Sequence, residues 1–299
     1  MSLAKLQEKI DNMSNPTVVG LDPDLAHIPP EILERHIAEK GETLEAAAAA
    51  VVEFNTGLID ALYDIVPAVK PQSAYYEKLG PEGARALKTT CGYARSKGMY
   101  IIGDVKRNDI GTTAEAYSDA YIGTVAIGKM LLRPYDFDAL TVNAYLGSDG
   151  VKPFVETALK YDKAVFVLVK TSNPSSGEFQ DKMIGDKTLY SAVGDLIDEL
   201  SRETEDMRGY SHIGAVVGAT YPEEMSYLRS RFKRTFFLVP GYGAQGGSAD
   251  TAALAFGKDG RGAIINSSRA IIAAWKKGGG DYREAARAEA LRMRGDLRK

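Results

Sequence analysis

The chain has little cysteine, little histidine and no long apolar run, and each scarcity removes a class of explanation. A single cysteine, Cys91, cannot close an internal disulfide, and no paired-cysteine spacing offers a zinc site. It reads as a helical packing residue. The histidines are His27, His36 and His212, and none stands beside another ligand at metal-binding spacing. No metal site is expected. No apolar stretch approaches the ~20 residues needed to span a bilayer. Residues 1–15 are charged and helically periodic and lack the apolar core of a secretion signal. A cytoplasmic protein without a membrane partner is therefore expected. An excess of positive charge is also missing: 37 Lys and Arg against 40 Asp and Glu leave a net charge of -3. That argues against a protein that coats nucleic acid and leaves a nucleotide-sized ligand open.

What the chain has is a strict alternation. Short runs rich in Val, Ile, Leu and Ala lie at 17–21, 65–70, 99–104, 138–143, 164–170, 213–218, 235–239 and 262–266. Each has the length of a buried parallel strand. Segments of helical composition lie at 42–63, 81–97, 113–130, 148–161, 187–205, 222–232, 247–257 and 281–295. Pro81 and Pro222 suit a first helical turn, and Ser248 or Gly247 suits the start of the seventh helix. Alternating buried strands and helices predict a parallel sheet, and eight units predict closure into a single (β/α)8 TIM barrel over 1–299. An open doubly wound sheet is the alternative. Two stretches exceed the minimal barrel. One is a Pro-containing insertion near 23–41, and the other a polar, lid-like loop near 173–186, which follows a strand and so falls on the catalytic face, where a passive surface loop is an equal alternative to a lid. The Gly- and charge-rich tail from Lys276 is expected to end in a solvated helix.

The strand ends carry the chemistry. Asp104 and Lys106 are two residues apart and face the same way on a strand, and the preceding strand ends in Lys70. Two ammonium groups and a carboxylate at neighbouring strand ends make a preset field, although a structural ion-pair network has the same composition. The seventh strand runs into Pro240-Gly241-Tyr242-Gly243-Ala244-Gln245-Gly246-Gly247. This matches G-x-G-x-x-G in form but lies late in the chain, and the position ~20 residues beyond Gly241 is basic, unlike a dinucleotide fingerprint. As a phosphate cradle it suits the loops after strands seven and eight, where Arg269 follows Asn266-Ser267-Ser268 and can clamp an anion bidentately. A tight turn without ligand is the alternative for the glycines, and the coincidence of loop position, glycine content and Arg269 makes it the poorer one. The first strand ends in Gly20-Leu21-Asp22-Pro23-Asp24, and a carboxylate there could accept bonds from ribose hydroxyls. The fifth ends in Lys170-Thr171-Ser172-Asn173-Pro174, whose hydroxyl and amide groups could read the polar edge of a base. A capping or turn role is the more common one for either segment.

At this point a family resemblance emerges. Asp104–Tyr117 (DVKRNDIGTTAEAY) resembles the D-x-K-x-x-D-I-G-x-T signature of orotidine 5'-monophosphate decarboxylases. FNTGLIDA (54–61), VKPQSAYYE (69–77), VKTSNPSSGEFQ (169–180), VPGYGAQGG (239–247) and NSSRAI (266–271) resemble the same family in the expected order, and match its longer bacterial branch. Asn108 departs from the Gly expected in that branch.

The resemblance implies conversion of orotidine 5'-monophosphate to uridine 5'-monophosphate and carbon dioxide in pyrimidine biosynthesis, without cofactor. It implies that Lys70, Asp104 and Lys106 form a charged array completed by Asp109 from the second subunit of a homodimer. Ile110 and Thr113 also reach the partner's site. Asp22 and Lys70 hold ribose hydroxyls, and Ser172 reads the pyrimidine. Gln245, Gly246 and Arg269 bind the phosphate. Lys106 donates a proton to C6. The D-x-K-x-x-D core is also found in metal-assisted sugar-phosphate decarboxylases and aldolases, which remain an alternative. A nucleotide binder without catalysis is another.

Overall fold

In a computed structural model of the chain, residues 2–204, 209–243 and 247–297 are described below. The apolar runs become eight parallel strands: β1 (Thr17–Leu21), β2 (Ala68–Pro71), β3 (Tyr100–Arg107), β4 (Ala139–Val142), β5 (Ala164–Lys170), β6 (Ile213–Val217), β7 (Phe236–Val239) and β8 (Ala263–Ser267). Each pairs with its neighbours in chain order, and β8 returns to β1, so the sheet is a closed barrel and not an open one. Strands covered by helices carry apolar residues on both faces, and Thr17–Leu21 and Ile213–Val217 are buried at every position.

Cα proximity divides the chain into two compact units. The first comprises Met13–Val105 and Ser267–Lys299. Here β1 pairs with β2, placing Gly20 beside Lys70, and β2 pairs with β3, placing Val69 beside Ile101. The helix Leu44–Leu62 starts at Thr43, whose hydroxyl accepts from the Ala46 N–H at 3.1 Å. It packs against the helices Pro30–Lys40, Gly80–Ser96 and Tyr282–Leu297. Pro81 falls in the first turn of Gly80–Ser96, as its fixed φ favours, and Cys91 is buried in the same helix. The 23–41 insertion folds into a short 3-10 turn, Leu25–His27, and the helix Pro30–Lys40. The Trp275 indole N–H donates to the His27 carbonyl at 3.0 Å and holds the turn in place.

The second unit comprises Met1–Asn12 and Lys106–Asn266. Registers run Leu140 beside Val165, Val165 beside Ile213, Gly214 beside Phe236 and Phe237 beside Ala263. The N-terminal helix, Ser2–Met13, covers the segments leading into β5 and β8. Lys5 pairs with Asp162 at 2.5 Å, and Gln7 Oε1 accepts from the Gly262 N–H at 3.0 Å.

Three expectations need correction. The helix expected over 113–130 spans only Gly111–Tyr121, and Val125–Ile127 and Met130–Leu132 form an antiparallel hairpin. Gly128 (φ 60°) makes the turn, and β-branched Val125 and Ile127 favour strand over helix. The helix expected over 247–257 is only Ala249–Ala253, capped by Ser248 as anticipated. The 173–186 loop holds a 3-10 turn, Pro174–Glu178, and Met183–Ile184 at its end pairs with Lys187–Thr188. The terminal helix is not wholly solvated, since Ala286, Ala290 and Met293 are buried.

Candidate active site

In the first unit, the end of β2 meets a carboxylate on β3. Lys70 is the penultimate residue of the buried β2, and its ammonium lies 2.6 Å from Asp104 Oδ2, with side-chain exposures of 6% and 9%. Gln72 Nε2 donates to the same oxygen at 2.9 Å. Burial pushes the Lys70 ammonium toward neutrality. The charges of Asp104 and Asp22, with the hydrogen bond to Asp104, overcome that push and hold its pKa above the ordinary lysine value. The pair is thus kept as two ions under cover from water, where opposite charges interact most strongly.

Asp22 sits just past β1. Its Oδ1 is buried and accepts no hydrogen bond among the described residues. A buried acceptor without a partner is costly, so this oxygen suits a ligand hydroxyl. Gly20 sets the approach: a Cβ there would lie 1.8 Å from Ser268 Oγ and 3.2 Å from Asp22 Oδ1. Only glycine lets the end of β1 come so close to the residue before Arg269. Arg269 itself is exposed. Tyr75 registers this surrounding field. Burial, then Asp22 and Asp24, raise its pKa, and Arg269 works against them.

In the second unit, Lys106 is solvent-facing, and its backbone stands at φ 46°. Left-handed backbone is uncommon outside glycine and costs on the order of 1 kcal/mol. The Lys106 N–H donates to Thr141 Oγ1 on β4 at 2.9 Å, which pins the distortion. Asp109 is half-buried, and its Oδ1 accepts from the Ile110 N–H at 2.9 Å. Ile110 is 56% exposed and Thr113 is exposed, so both face outward on this chain. Asn108 donates to the Gly150 carbonyl at 2.9 Å, a loop bond outside the charged set. Ser172, just past β5, is half-buried, and its carbonyl accepts from Thr220 Oγ1 at 3.1 Å. Gln245 and Gly246 lie outside the described residues.

The sequence reading missed Gln72, Thr141 and the Lys170–Asp181 pair. Gln72 had a legible signal, since it lies two residues beyond Lys70. Lys170 had one too, as a lysine closing the otherwise apolar run AVFVLVK. Thr141 had none.

A parallel eight-stranded barrel with a buried lysine–aspartate pair at its strand ends is the architecture of a TIM-barrel enzyme with an electrostatically preset site. Comparison with known proteins narrows the class. Residues 19–287 match the orotidine 5'-phosphate decarboxylase / HUMPS family, and the chain belongs to it. It is 43% identical over 289 residues to the orotidine 5'-phosphate decarboxylase of Rhodopirellula baltica, covering 94% of each chain. It is 39% identical over 272 residues to that of Caldicellulosiruptor bescii, covering 91% of this chain and 89% of the relative. Among solved structures, Leishmania donovani OMP decarboxylase superposes with a TM-score of 0.75 at 30% identity, over 100% of this chain and 99% of that one. Among the described residues, no helix is long and apolar enough to cross a membrane.

Proposed function

We propose that the chain decarboxylates orotidine 5'-monophosphate to uridine 5'-monophosphate and carbon dioxide, with Lys106 as the proton donor to C6. The observation that carries this reading is the buried Lys70–Asp104 ion pair beside the unpartnered Asp22 Oδ1, within a chain that bears the complete family signature. Asp22 and Lys70 hold the ribose hydroxyls. Asp104 lies next to the substrate carboxylate. Loss of carbon dioxide leaves negative charge at C6, and only interactions that strengthen with that charge speed the step. The Lys106 ammonium is such a group: it stabilises the developing carbanion and then transfers its proton. Ser172 reads the pyrimidine edge. Arg269, Gln245 and Gly246 grip the phosphate, whose binding energy holds the base in register far from the reacting carbon.

The working form is a homodimer in which Asp109, Ile110 and Thr113 act in the partner's site. The hairpin supports this. Val125, Ile127, Met130, Leu131 and Leu132 are 42%, 61%, 62%, 65% and 45% exposed. An isolated two-stranded hairpin is marginal in water, and so apolar a surface marks a contact. It is rooted beside the signature helix Gly111–Tyr121 through the Tyr135 N–H to the Ala120 carbonyl (3.3 Å) and the Phe137 N–H to the Tyr121 carbonyl (2.8 Å). The partner that matches is a second copy bringing the same surface. In sedimentation, the wild type is expected at twice the chain mass and Leu131→Glu shifted toward the monomer. A wild-type monomer with full activity would remove the shared-site proposal.

The function test is the spectrophotometric loss of orotidine 5'-monophosphate, with and without chelator. Full activity after chelation is expected. Activity that needs an added divalent cation points to the metal-assisted sugar-phosphate branch, and tight uridine 5'-monophosphate binding without turnover points to a binder.

A further inference from the structure

Lys170, the last residue of β5, is fully buried, and its side chain is only 1% exposed. No step of the proposed reaction uses it. Its ammonium meets Asp181 Oδ1 at 2.5 Å and lies 4.6 Å from the ring centroid of Tyr221 and 5.5 Å from that of Tyr190. Both rings present a face that attracts a cation. The counterion is the informative part: Asp181 belongs to the 173–186 loop, so the charge that neutralises the barrel's lysine is supplied by the loop above it.

The next residue repeats the arrangement. Gln180 Oε1 accepts from the Thr171 N–H at 2.9 Å, and Gln180 Nε2 donates to Thr171 Oγ1 at 2.8 Å. The far limb hangs on Tyr221, whose hydroxyl donates to the Asn173 carbonyl at 3.1 Å. Ser172 is thereby held from both sides. Its backbone is also wedged against Gly218, where a Cβ would lie 2.8 Å from Ser172 N and Cα. A loop that lifted away would leave the Lys170 ammonium buried without its counterion, which is strongly unfavourable. The ion pair therefore favours the seated loop.

We infer that Lys170 is a positioning residue: through Asp181 and the Tyr190 and Tyr221 rings it seats the 173–186 loop and so fixes Ser172 for reading the base. This rests on the proposal that Ser172 contacts the pyrimidine. Lys170 touches neither the reacting carbon nor the phosphate. Its loss should weaken substrate capture more than it slows the chemical step.

The test compares wild type with Lys170→Met, which keeps the length of the side chain without its charge, and with Asp181→Asn, whose partly exposed site tolerates the change. Amide hydrogen exchange over 173–186 and steady-state decarboxylation kinetics are measured on each. Faster loop exchange is expected in both variants, with KM for orotidine 5'-monophosphate raised about tenfold and kcat within about threefold of wild type. Lys170→Met/Asp181→Asn should be no worse than the poorer single variant, because both changes break one contact. Unchanged loop exchange in Asp181→Asn overturns the seating role. Faster exchange with unchanged KM overturns the positioning of Ser172 and leaves the decarboxylase reading intact. An inactive wild type overturns that reading and the positioning role with it.

Discussion

Lys70 and Asp104 sit on adjacent strands of the barrel and share a hydrogen bond of 2.6 Å at which neither side chain is a tenth exposed. Removing one ion from such a pair leaves the other buried and uncompensated, typically at a cost of about 3–5 kcal/mol. Asp104→Ala should therefore lose stability of that order as well as turnover, because the stranded cation is Lys70. Replacing both together, as Lys70→Met/Asp104→Leu, should restore much of the stability and none of the activity. Urea denaturation and the decarboxylation assay separate the two effects. A double variant no more stable than Asp104→Ala alone would mean that the pair is not the source of the loss.

Lys106 combines a proposed chemical role with a strained backbone, and two substitutions pull them apart. Lys106→Ala keeps the φ 46° penalty, while Lys106→Gly relieves it. Both should bind uridine 5'-monophosphate and lose nearly all turnover, with Lys106→Gly about 1 kcal/mol the more stable. Near-normal turnover in either variant would discard the proton-donor assignment.

The barrel was legible because burial on both strand faces writes an apolar run, and all eight runs overlap the observed strands. Of these, Thr17–Leu21 and Ala164–Lys170 coincide with the runs end to end. The charged residues were legible for a similar reason: Lys70 and Asp104 close the apolar runs 65–70 and 99–104, and parallel order in a barrel brings the corresponding positions of adjacent strands together. What misled was apolar surface exposed for contact. The expected helix 113–130 runs into the 125–132 hairpin because the segment has a helical composition, yet Val125, Ile127 and Met130 face solvent in the single chain. Pairings that depend on a loop returning over its own strand, such as Asp181 over Lys170, carry no local periodicity at all. The left-handed turn at Lys106 was likewise hidden, because lysine gives no signal for positive φ.

Arg229 is buried with no carboxylate in contact among the pairs described. Its guanidinium donates instead to the carbonyls of Ala255 (2.7 Å), Phe232 (3.1 Å), Thr235 (3.0 Å) and Gly262 (3.0 Å), and lies 3.7 Å from the Phe237 ring centroid. Burial lowers its pKa to about 10, still charged at neutral pH. The fork thus gathers the segments leading into β7 and β8. Arg229→Met should cost about 3 kcal/mol, since several buried carbonyls lose their donor at once, and Arg229→Lys should recover little of it. Activity per folded molecule should be unchanged at saturating substrate. A loss below about 1 kcal/mol in urea denaturation would show that water satisfies those carbonyls instead.

Asp281 ties the C-terminal helix to the pH. Its carboxylate accepts from Arg283 Nε at 3.0 Å and from the backbone N–H groups of Arg283 and Glu284 at 2.8 and 3.3 Å, capping the helix Tyr282–Leu297. The Arg283 side-chain bonds lower its pKa from 3.8 to about 2 against the opposing effect of burial, and the two N–H groups and the Arg283 charge add to the lowering. A carboxylate with a depressed folded-state pKa stabilises the fold fully above its unfolded value and loses that contribution as pH falls toward the folded value. The window is therefore pH 4 down to about 2. That helix packs Tyr282 against Phe54, ring centroids 5.1 Å apart, so its fraying reaches the helix Leu44–Leu62. Asp281→Ala should be about 1 kcal/mol less stable than wild type from pH 5 to 8, the usual size of a cap. The gap should shrink as the wild-type carboxylate protonates below pH 4. Urea midpoints at pH 7, 4 and 2.5 measure it, and a gap that stayed constant to pH 2.5 would assign the difference to something other than the ionised cap.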